Sequence, residues 1–181
     1  GDLENIPKKG PVVVVANHPH GLSDGIMFGE LLTRVREDVR ILVNEQLSLC
    51  GELDPWLIKV DVYEDENARR KNLSGMRKMI SWLRQGGVLG IFPAGTVSSF
   101  SLAHKRVTDD PWNANIAAII RMTKATVVPV YFPGRNSLLF QGISLINRKA
   151  RVAFLPREVG RDGRRTHRIV VGKPIPFSQL G

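Results

Sequence analysis

The pattern of apolar positions predicts a sheet whose central strands are covered on both faces. Residues 12–16 read Val-Val-Val-Val-Ala, and residues 88–92 and 126–132 are also rich in apolar side chains without regular alternation. Such short continuous runs are typical of buried strands in parallel sheets. Weaker patterns predict four further strands, at residues 39–43, 58–62, 151–155 and 168–172.

Helical patterns separate these strands. Apolar residues at helical spacing predict helices over residues 24–36, 65–85 and 112–124. The second has acidic residues at its start and Gly86-Gly87 at its end, which are common start and stop signals. Strands alternating with helices predict an α/β fold with a mixed, mostly parallel central sheet of about seven strands flanked by helices.

Composition and charge narrow the choice of partners. The 181 residues are 43% apolar, and 26 Lys and Arg against 17 Asp and Glu give a net charge of +9. Such a surface favours anionic lipid headgroups or an acidic carrier protein. The basic residues are not interleaved with aromatic ones and no nucleic-acid motif is present, so we expect no nucleic-acid partner. One cysteine excludes an internal disulfide framework.

Domain organisation follows from the same pattern. No apolar run approaches the roughly 20 residues that span a bilayer, and no repeat or linker divides the chain. We therefore expect one domain over residues 1–181. Because the chain opens at Gly1 rather than Met, this domain is either complete or trimmed of an upstream segment.

Candidate chemistry is concentrated after the first strand, in Asn17-His18-Pro19-His20-Gly21-Leu22-Ser23-Asp24-Gly25. A carboxylate bound to one imidazole nitrogen fixes the tautomer and leaves the other nitrogen free to take a proton. His18 and Asp24 are therefore a candidate base and its orienting acid. They could equally be a strand-end residue and a helix cap with no chemical role.

Two other interpretations of this segment remain open. Residues 21–25 match the G-x-S-x-G turn of serine esterases, with Ser23 as nucleophile, although Pro19 interrupts the approach from the strand. Alternatively His18, His20 and Asp24 could ligate a metal, although no second ligand cluster is evident.

Two later loops complete a familiar set. Phe92-Pro93-Ala94-Gly95-Thr96-Val97-Ser98 follows one buried strand, and Gly134-Arg135-Asn136-Ser137 follows another. In this order, behind Asn-His-Pro, the chain resembles the glycerolipid (1-acylglycerol-3-phosphate-type) acyltransferase superfamily from Pro11 to about Pro174. Ala94 and Val97 stand where that superfamily usually has Glu and Arg, and His18 and Asp24 are one residue further apart. These departures resemble the hemolysin-like branch, which includes lyso-ornithine-lipid acyltransferases, and they weaken the expectation of a phosphate headgroup.

The resemblance implies an O-acyltransferase that moves a fatty acyl group from a thioester donor to the hydroxyl of a lyso-lipid. It makes His18 the general base and Asp24 its orienting partner, with backbone N–H groups such as those of Gly21 or Gly95 as oxyanion donors. A non-catalytic lipid-surface binding module is the remaining alternative. The substrate-binding residues that the acyltransferase resemblance implies are Gly21, Pro93, Ala94, Gly95, Thr96, Arg135, Arg69 and Arg70.

It also implies partners and a location. The donor is acyl-CoA or acyl carrier protein, no cofactor is tightly bound and no metal is needed. The protein is expected in the cytoplasm, peripherally attached to the anionic inner face of the membrane. Trp56 and Trp112 are expected to pack in the core, with contact to acyl chains as the alternative.

Overall fold

Strand β1 (Val12–Ala16) occupies the middle of the sheet because all its side chains are apolar and buried. It pairs in parallel with β4 (Val88–Ile91) on one side and with β7 (Thr126–Tyr131) on the other. Beyond β4 lie β2 (Val39–Asn44) and β3 (Leu57–Val60), both parallel to it. Beyond β7 the short β8 (Val170–Val171) is antiparallel.

The computed structural model describes residues 2–44, 51–60, 66–147, 150–162 and 167–180, with only the backbone described at 51–52, 66–72 and 162. Alternate residues of β1 enter two cores. On one face α1 (Leu22–Thr33) buries Phe28 and Leu32. On the other, α2 (Glu66–Arg84) and α3 (Asn115–Thr123) contribute Met79, Leu83 and Ile119. The sheet is therefore covered by helices on both sides.

The second half of the chain adds smaller elements beside the carboxyl end of the sheet. A hairpin of β5 (Ser99–Ser101) and β6 (Arg106–Thr108) packs against α4 (Leu138–Ile146). Helix α5 (Leu155–Asp162) then contacts α1. Short 3₁₀ turns cover Leu3–Asn5, Gly51–Trp56, Ala150–Phe154 and Phe177–Gln179.

The predicted fold class is confirmed, since a mostly parallel sheet lies between helices. One predicted strand is wrong. Residues 151–155 form a 3₁₀ turn and the start of α5, because Pro156 favours the first turn of a helix and cannot donate a ladder hydrogen bond. The central sheet accordingly has six strands in the described part of the chain. Helices α4 and α5 and the β5–β6 hairpin were not predicted.

None of the helices in the described part of the chain combines the length and the apolarity that a membrane span requires.

Candidate active site

The end of β1 is fastened to the end of β7 by Asn17. Its side-chain amide donates to the carbonyl of Phe132 at 2.8 Å, and its side-chain oxygen accepts from the Phe132 N–H at 2.7 Å. These two hydrogen bonds extend the pairing of β1 with β7 by one residue beyond the last backbone pair. His18 therefore starts from a fixed point at the carboxyl end of the sheet.

His18 and Asp24 meet as the sequence predicts. The ring Nδ1 of His18 lies 3.2 Å from Oδ2 of Asp24, whose side chain is fully buried. The same oxygen accepts the N–H groups of His20 at 2.7 Å and Gly21 at 3.0 Å. Asp24 is the third residue of α1, so it caps the helix start while it holds the ring. Within the described part of the chain, its other oxygen, Oδ1, has no hydrogen-bond partner.

The His18 ring is held from a second direction by Phe92, which follows β4. The two rings stack with centroids 3.9 Å apart and planes 22° apart. Only 14% of the His18 side chain is exposed. Its Nε2 makes no hydrogen bond to any residue that the structure describes, so this nitrogen is available to a ligand.

The backbone of His18 is held by Asp109, a residue that sequence reasoning missed. Oδ1 of Asp109 accepts the His18 N–H at 3.3 Å and the hydroxyl of Ser98, whose own N–H donates to the His18 carbonyl at 2.8 Å. Oδ2 accepts the Trp112 indole N–H at 3.1 Å. Asp109 lies 91 residues from His18, and nothing in the local pattern around it indicates the contact.

The loop that follows β4 and leads to the β5–β6 hairpin is the second loop of the site. Gly95 has a φ of 66°, which favours glycine, and its N–H closes a turn on the Phe92 carbonyl at 2.9 Å. The Thr96 hydroxyl donates to Asp110 at 2.5 Å. Because the N–H groups of Gly95 and Gly21 both donate within the protein, the expectation that either glycine offers a free oxyanion donor is not met.

A cavity of about 500 Å³ opens beside His18 and continues between α1 and the β2–β3 edge of the sheet. Gly21 and Gly95 line it, and its walls are mostly apolar. Trp56 lines it and is 47% exposed, so the expectation of a core tryptophan there is wrong, as it is for Trp112, which is 51% exposed. Among the other lining residues are Ile26, Gly29, Thr33, Ile41, Val43, Leu57, Val60, Val97 and Leu155.

The third loop, after β7, is tied to the first by His20. The His20 Nε2 lies 3.0 Å from the Pro133 carbonyl, and a side chain at Gly134 would meet this ring, since an added Cβ would lie 2.9 Å from that nitrogen. Arg135 follows and is exposed. The loop ends where the Ser137 hydroxyl and N–H donate to the buried Glu158, at 2.7 and 2.8 Å.

The predicted site residues separate into three groups. His18, Gly21 and Gly95 line the cavity, with Asp24 directly behind the ring. The second group lies near the site but does not line the cavity: Pro93, Ala94, Thr96 and Arg135. The third group is Arg69 and Arg70, whose backbone is in α2 and whose side chains lie outside the described residues.

The geometry does not support the serine-esterase interpretation. Ser23 lies inside the first turn of α1 without the positive φ of a strained elbow, and no hydrogen bond joins it to an imidazole among the described residues. Over the same residues, no group of three or more His, Cys, Asp or Glu side chains is arranged to hold a metal ion.

Comparison with known proteins gives a consistent result. A family model described as Acyltransferase matches residues 1–133. Two curated relatives, from Bacteroides thetaiotaomicron and Phocaeicola vulgatus, are both named lyso-glycine lipid O-acyltransferase. Each is 29% identical over 183 residues, which cover 97% of this chain but only 64% and 63% of the relatives. The chain therefore spans less than two thirds of their length.

A solved structure supports the fold. The crystal structure of the 1-acyl-sn-glycerophosphate (LPA) acyltransferase PlsC from Thermotoga maritima superposes with a TM-score of 0.50 at 20% identity. The match covers 96% of this chain and 59% of that chain. At this identity the likeness is evidence for the α/β architecture.

Proposed function

Since the chain belongs to the Acyltransferase family, we propose that it transfers a fatty acyl group from a thioester donor to the hydroxyl of a lyso-lipid. One observation carries the proposal. An imidazole held by a fully buried carboxylate at 3.2 Å lines a large, mostly apolar cavity, with its second nitrogen unbound by the described residues. A base and a hydrocarbon site thus lie side by side.

The proton transfer uses the two nitrogens of His18 in different ways. Nε2 takes the proton from the acceptor hydroxyl as its oxygen forms a bond to the thioester carbonyl carbon. Nδ1–H stays bound to Asp24, whose negative charge stabilises the imidazolium. When the carbon–sulfur bond breaks, the proton passes to the departing thiolate. A base placed in this way accelerates such a reaction by about 10²–10⁴-fold.

The acyl chain occupies the cavity between α1 and the β2–β3 edge. Ligand pockets of this kind are mostly apolar with a few polar groups at one end. Here His18 lines the cavity and most of the other lining residues are apolar, although Glu30, Thr33 and Asn44 also line it. Gly25 and Gly29 leave room along α1. With its chain in this cavity, a thioester carbonyl would lie beside the imidazole.

The donor and the acceptor headgroup are proposed from chemistry and from the relatives. Coenzyme A and acyl carrier protein are both anionic and suit a chain of net charge +9. The relatives' names make lyso-glycine lipid the first acceptor to test, with lyso-ornithine lipid as the second. Both headgroups contain an amino acid. Arg135, exposed in the third loop, is the proposed contact for an anionic headgroup or donor phosphate, and Arg69 and Arg70 stay predictions.

We place this reaction at the surface of a membrane, because the acceptor is a lipid and the net charge favours anionic headgroups. The proposed location is the cytoplasmic face, to which the protein binds peripherally.

The test is an acyl-transfer assay with matched variants. Radiolabelled palmitoyl-CoA and palmitoyl-acyl carrier protein are each offered with lyso-glycine lipid, lyso-ornithine lipid and lysophosphatidate. We expect the native chain and Ser23→Ala to transfer acyl groups to one acceptor, and His18→Ala to be slower by about 10²–10⁴-fold. Equal rates for the native chain and His18→Ala would exclude His18 as the base. Loss of activity in Ser23→Ala alone would restore the esterase interpretation.

A further inference from the structure

Helix α4 presents its apolar side to solvent. Leu138 is 77% exposed and Ile146 is 88% exposed, and Leu139 and Leu145 are each about half exposed. Leu138 and Leu145 are seven residues apart, as are Leu139 and Ile146, and residues seven apart lie on the same side of a helix. These four side chains therefore form one stripe, in which the exposed Gly142 also lies. The solvent side of α4 is thus entirely apolar.

The inward side of the same helix is partly polar and is fixed by hydrogen bonds. Gln141 is buried and its side-chain oxygen accepts the Phe100 N–H at 2.8 Å, which ties α4 to β5. Ser144 is buried and its hydroxyl donates to the Phe140 carbonyl at 2.7 Å. Since the bond from β5 to Gln141 and the buried Phe140 set the rotation of the helix, the outward stripe is a consequence of its packing.

More exposed apolar side chains lie in the elements that pack on α4. Leu102, directly after β5, is 73% exposed, and Val152 in the 3₁₀ turn after α4 is 48% exposed. When large apolar side chains are exposed in adjacent elements, they indicate a surface that binds a partner. We call α4, residue Leu102 and residue Val152 the α4 face.

The α4 face is close to the candidate site along the chain. Helix α4 begins at Leu138, right after the third loop, which starts where Phe132 is bound to Asn17, the neighbour of His18. The buried side of α4 also borders the cavity, because Phe140 packs in one cluster with Val97 and Leu155, which both line it.

Charge distinguishes the possible partners. Among the described residues of segments 97–108 and 133–161, five Lys and Arg side chains are exposed, whereas the one acid, Glu158, is buried. A second copy of this chain would bring like charges together at such a face, which is unfavourable. An anionic lipid surface complements both the charge and the apolar stripe. The five exposed cations are Lys105, Arg106, Arg135, Arg157 and Arg161, of which the last two also pair with Glu158.

We infer that the α4 face is the surface by which the protein docks on an anionic membrane, with the leucine and isoleucine side chains of α4 entering the headgroup–acyl boundary. The choice of a lipid partner rests on the proposed acyltransferase function. The contacts that define the face do not.

The experiment compares two double variants in vesicle co-sedimentation. Leu138→Ser/Ile146→Ser removes the two most exposed side chains of the stripe, and Leu73→Ser/Met122→Ser changes two that are each 55% exposed on α2 and α3. With vesicles of phosphatidylcholine and phosphatidylglycerol, we expect the α4 variant to bind about tenfold more weakly or worse, from two lost aliphatic insertions. The α2–α3 variant should bind like the native chain, and pure phosphatidylcholine should bind less protein.

A second measurement separates this inference from the proposed function. Acyl transfer between water-soluble short-chain substrates should proceed in the α4 variant at the native rate. Equal vesicle binding by the native chain and the α4 variant would overturn the docking face. It would also be overturned if the native chain and the α2–α3 variant formed a dimer in solution and the α4 variant did not. Vesicle binding that depends on α4, without acyl transfer to any acceptor, would support the docking face and count against the proposed function.

Discussion

The two ends of the parallel sheet each hold a carboxylate bound to a nitrogen-bearing side chain. At the amino end, the buried Arg36 donates to both oxygens of Asp38. It also donates to the carbonyls of Pro7, Gly10 and Gly86, in the segments that lead into β1 and β4. All three guanidinium nitrogens are engaged, and the pair acts as a clamp on these loops.

At the carboxyl end, the corresponding pair is incomplete. Asp24 uses one oxygen for three contacts. Neither its Oδ1 nor the Nε2 of His18 has a hydrogen-bond partner among the residues described. Buried polar groups are nearly always hydrogen-bonded, so unused capacity beside a cavity is informative. The comparison indicates that a saturated pair stabilises the fold, whereas an unsaturated one is available to a ligand.

The sharpest test of this difference is Asp24→Asn. An asparagine oxygen can still accept the N–H groups of His20 and Gly21, so the loop should hold, but no negative charge remains to stabilise an imidazolium. We expect acyl transfer to fall by about 10²–10⁴-fold with a small change in the thermal midpoint. Asp38→Asn is the control and should keep the native rate. An active Asp24→Asn variant would show that the carboxylate is only a helix cap.

The opposite result is expected at the amino end. Arg36→Met leaves loop carbonyls without their donor, which should lower the free energy of unfolding by about 1–3 kcal/mol and leave the rate per folded molecule unchanged. Urea denaturation with a parallel assay measures both. Arg34, 65% exposed and paired with Glu30 on the surface, supplies the control Arg34→Met. Lost catalysis in folded Arg36→Met would contradict the separation of the two ends.

A smaller effect is expected at Asp109, a saturated carboxylate at the carboxyl end. Its role is to position His18 through hydrogen bonds, which asparagine can largely reproduce. We expect Asp109→Ala to lower kcat by about tenfold, or about 1.4 kcal/mol, and Asp109→Asn to recover most of it with KM unchanged. If Asp109→Asn were as inactive as Asp24→Asn, the charge of Asp109 would matter and its assignment as a positioning residue would be wrong.

The smallest effect is a pH dependence at the clamp. The hydrogen bond from Arg36 holds the pKa of Asp38 below its ordinary value of 3.8. Because the folded-state pKa is the lower one, the stabilisation is present above about pH 4 and is lost as the pH falls through the folded-state value. The stability difference between the native chain and Asp38→Asn should therefore shrink only in that acidic range, as urea titrations at several pH values can check. A difference that persisted there would exclude this origin.

Local sequence was sufficient for much of the sheet and for the His18–Asp24 pair. Strands β1, β4 and β7 follow from apolar runs that only a doubly covered strand can bury, and a five-residue loop can return a carboxylate to the ring without help from the rest of the chain. Local sequence was insufficient to predict helix α4. Residues 138–146 are apolar nearly throughout, and such a run has no periodicity that separates a helix from a strand.

What the sequence by itself determined is thus the α/β class, the main strands, the order of the three loops and the paired His18 and Asp24. Only the tertiary structure decided the cavity between α1 and β2–β3, the bond from Asp109 to the His18 backbone and the outward turn of the apolar side of α4. The physical reason is sequence distance. Contacts within a few residues are set by local chain geometry, whereas contacts across 91 residues depend on which strands become neighbours.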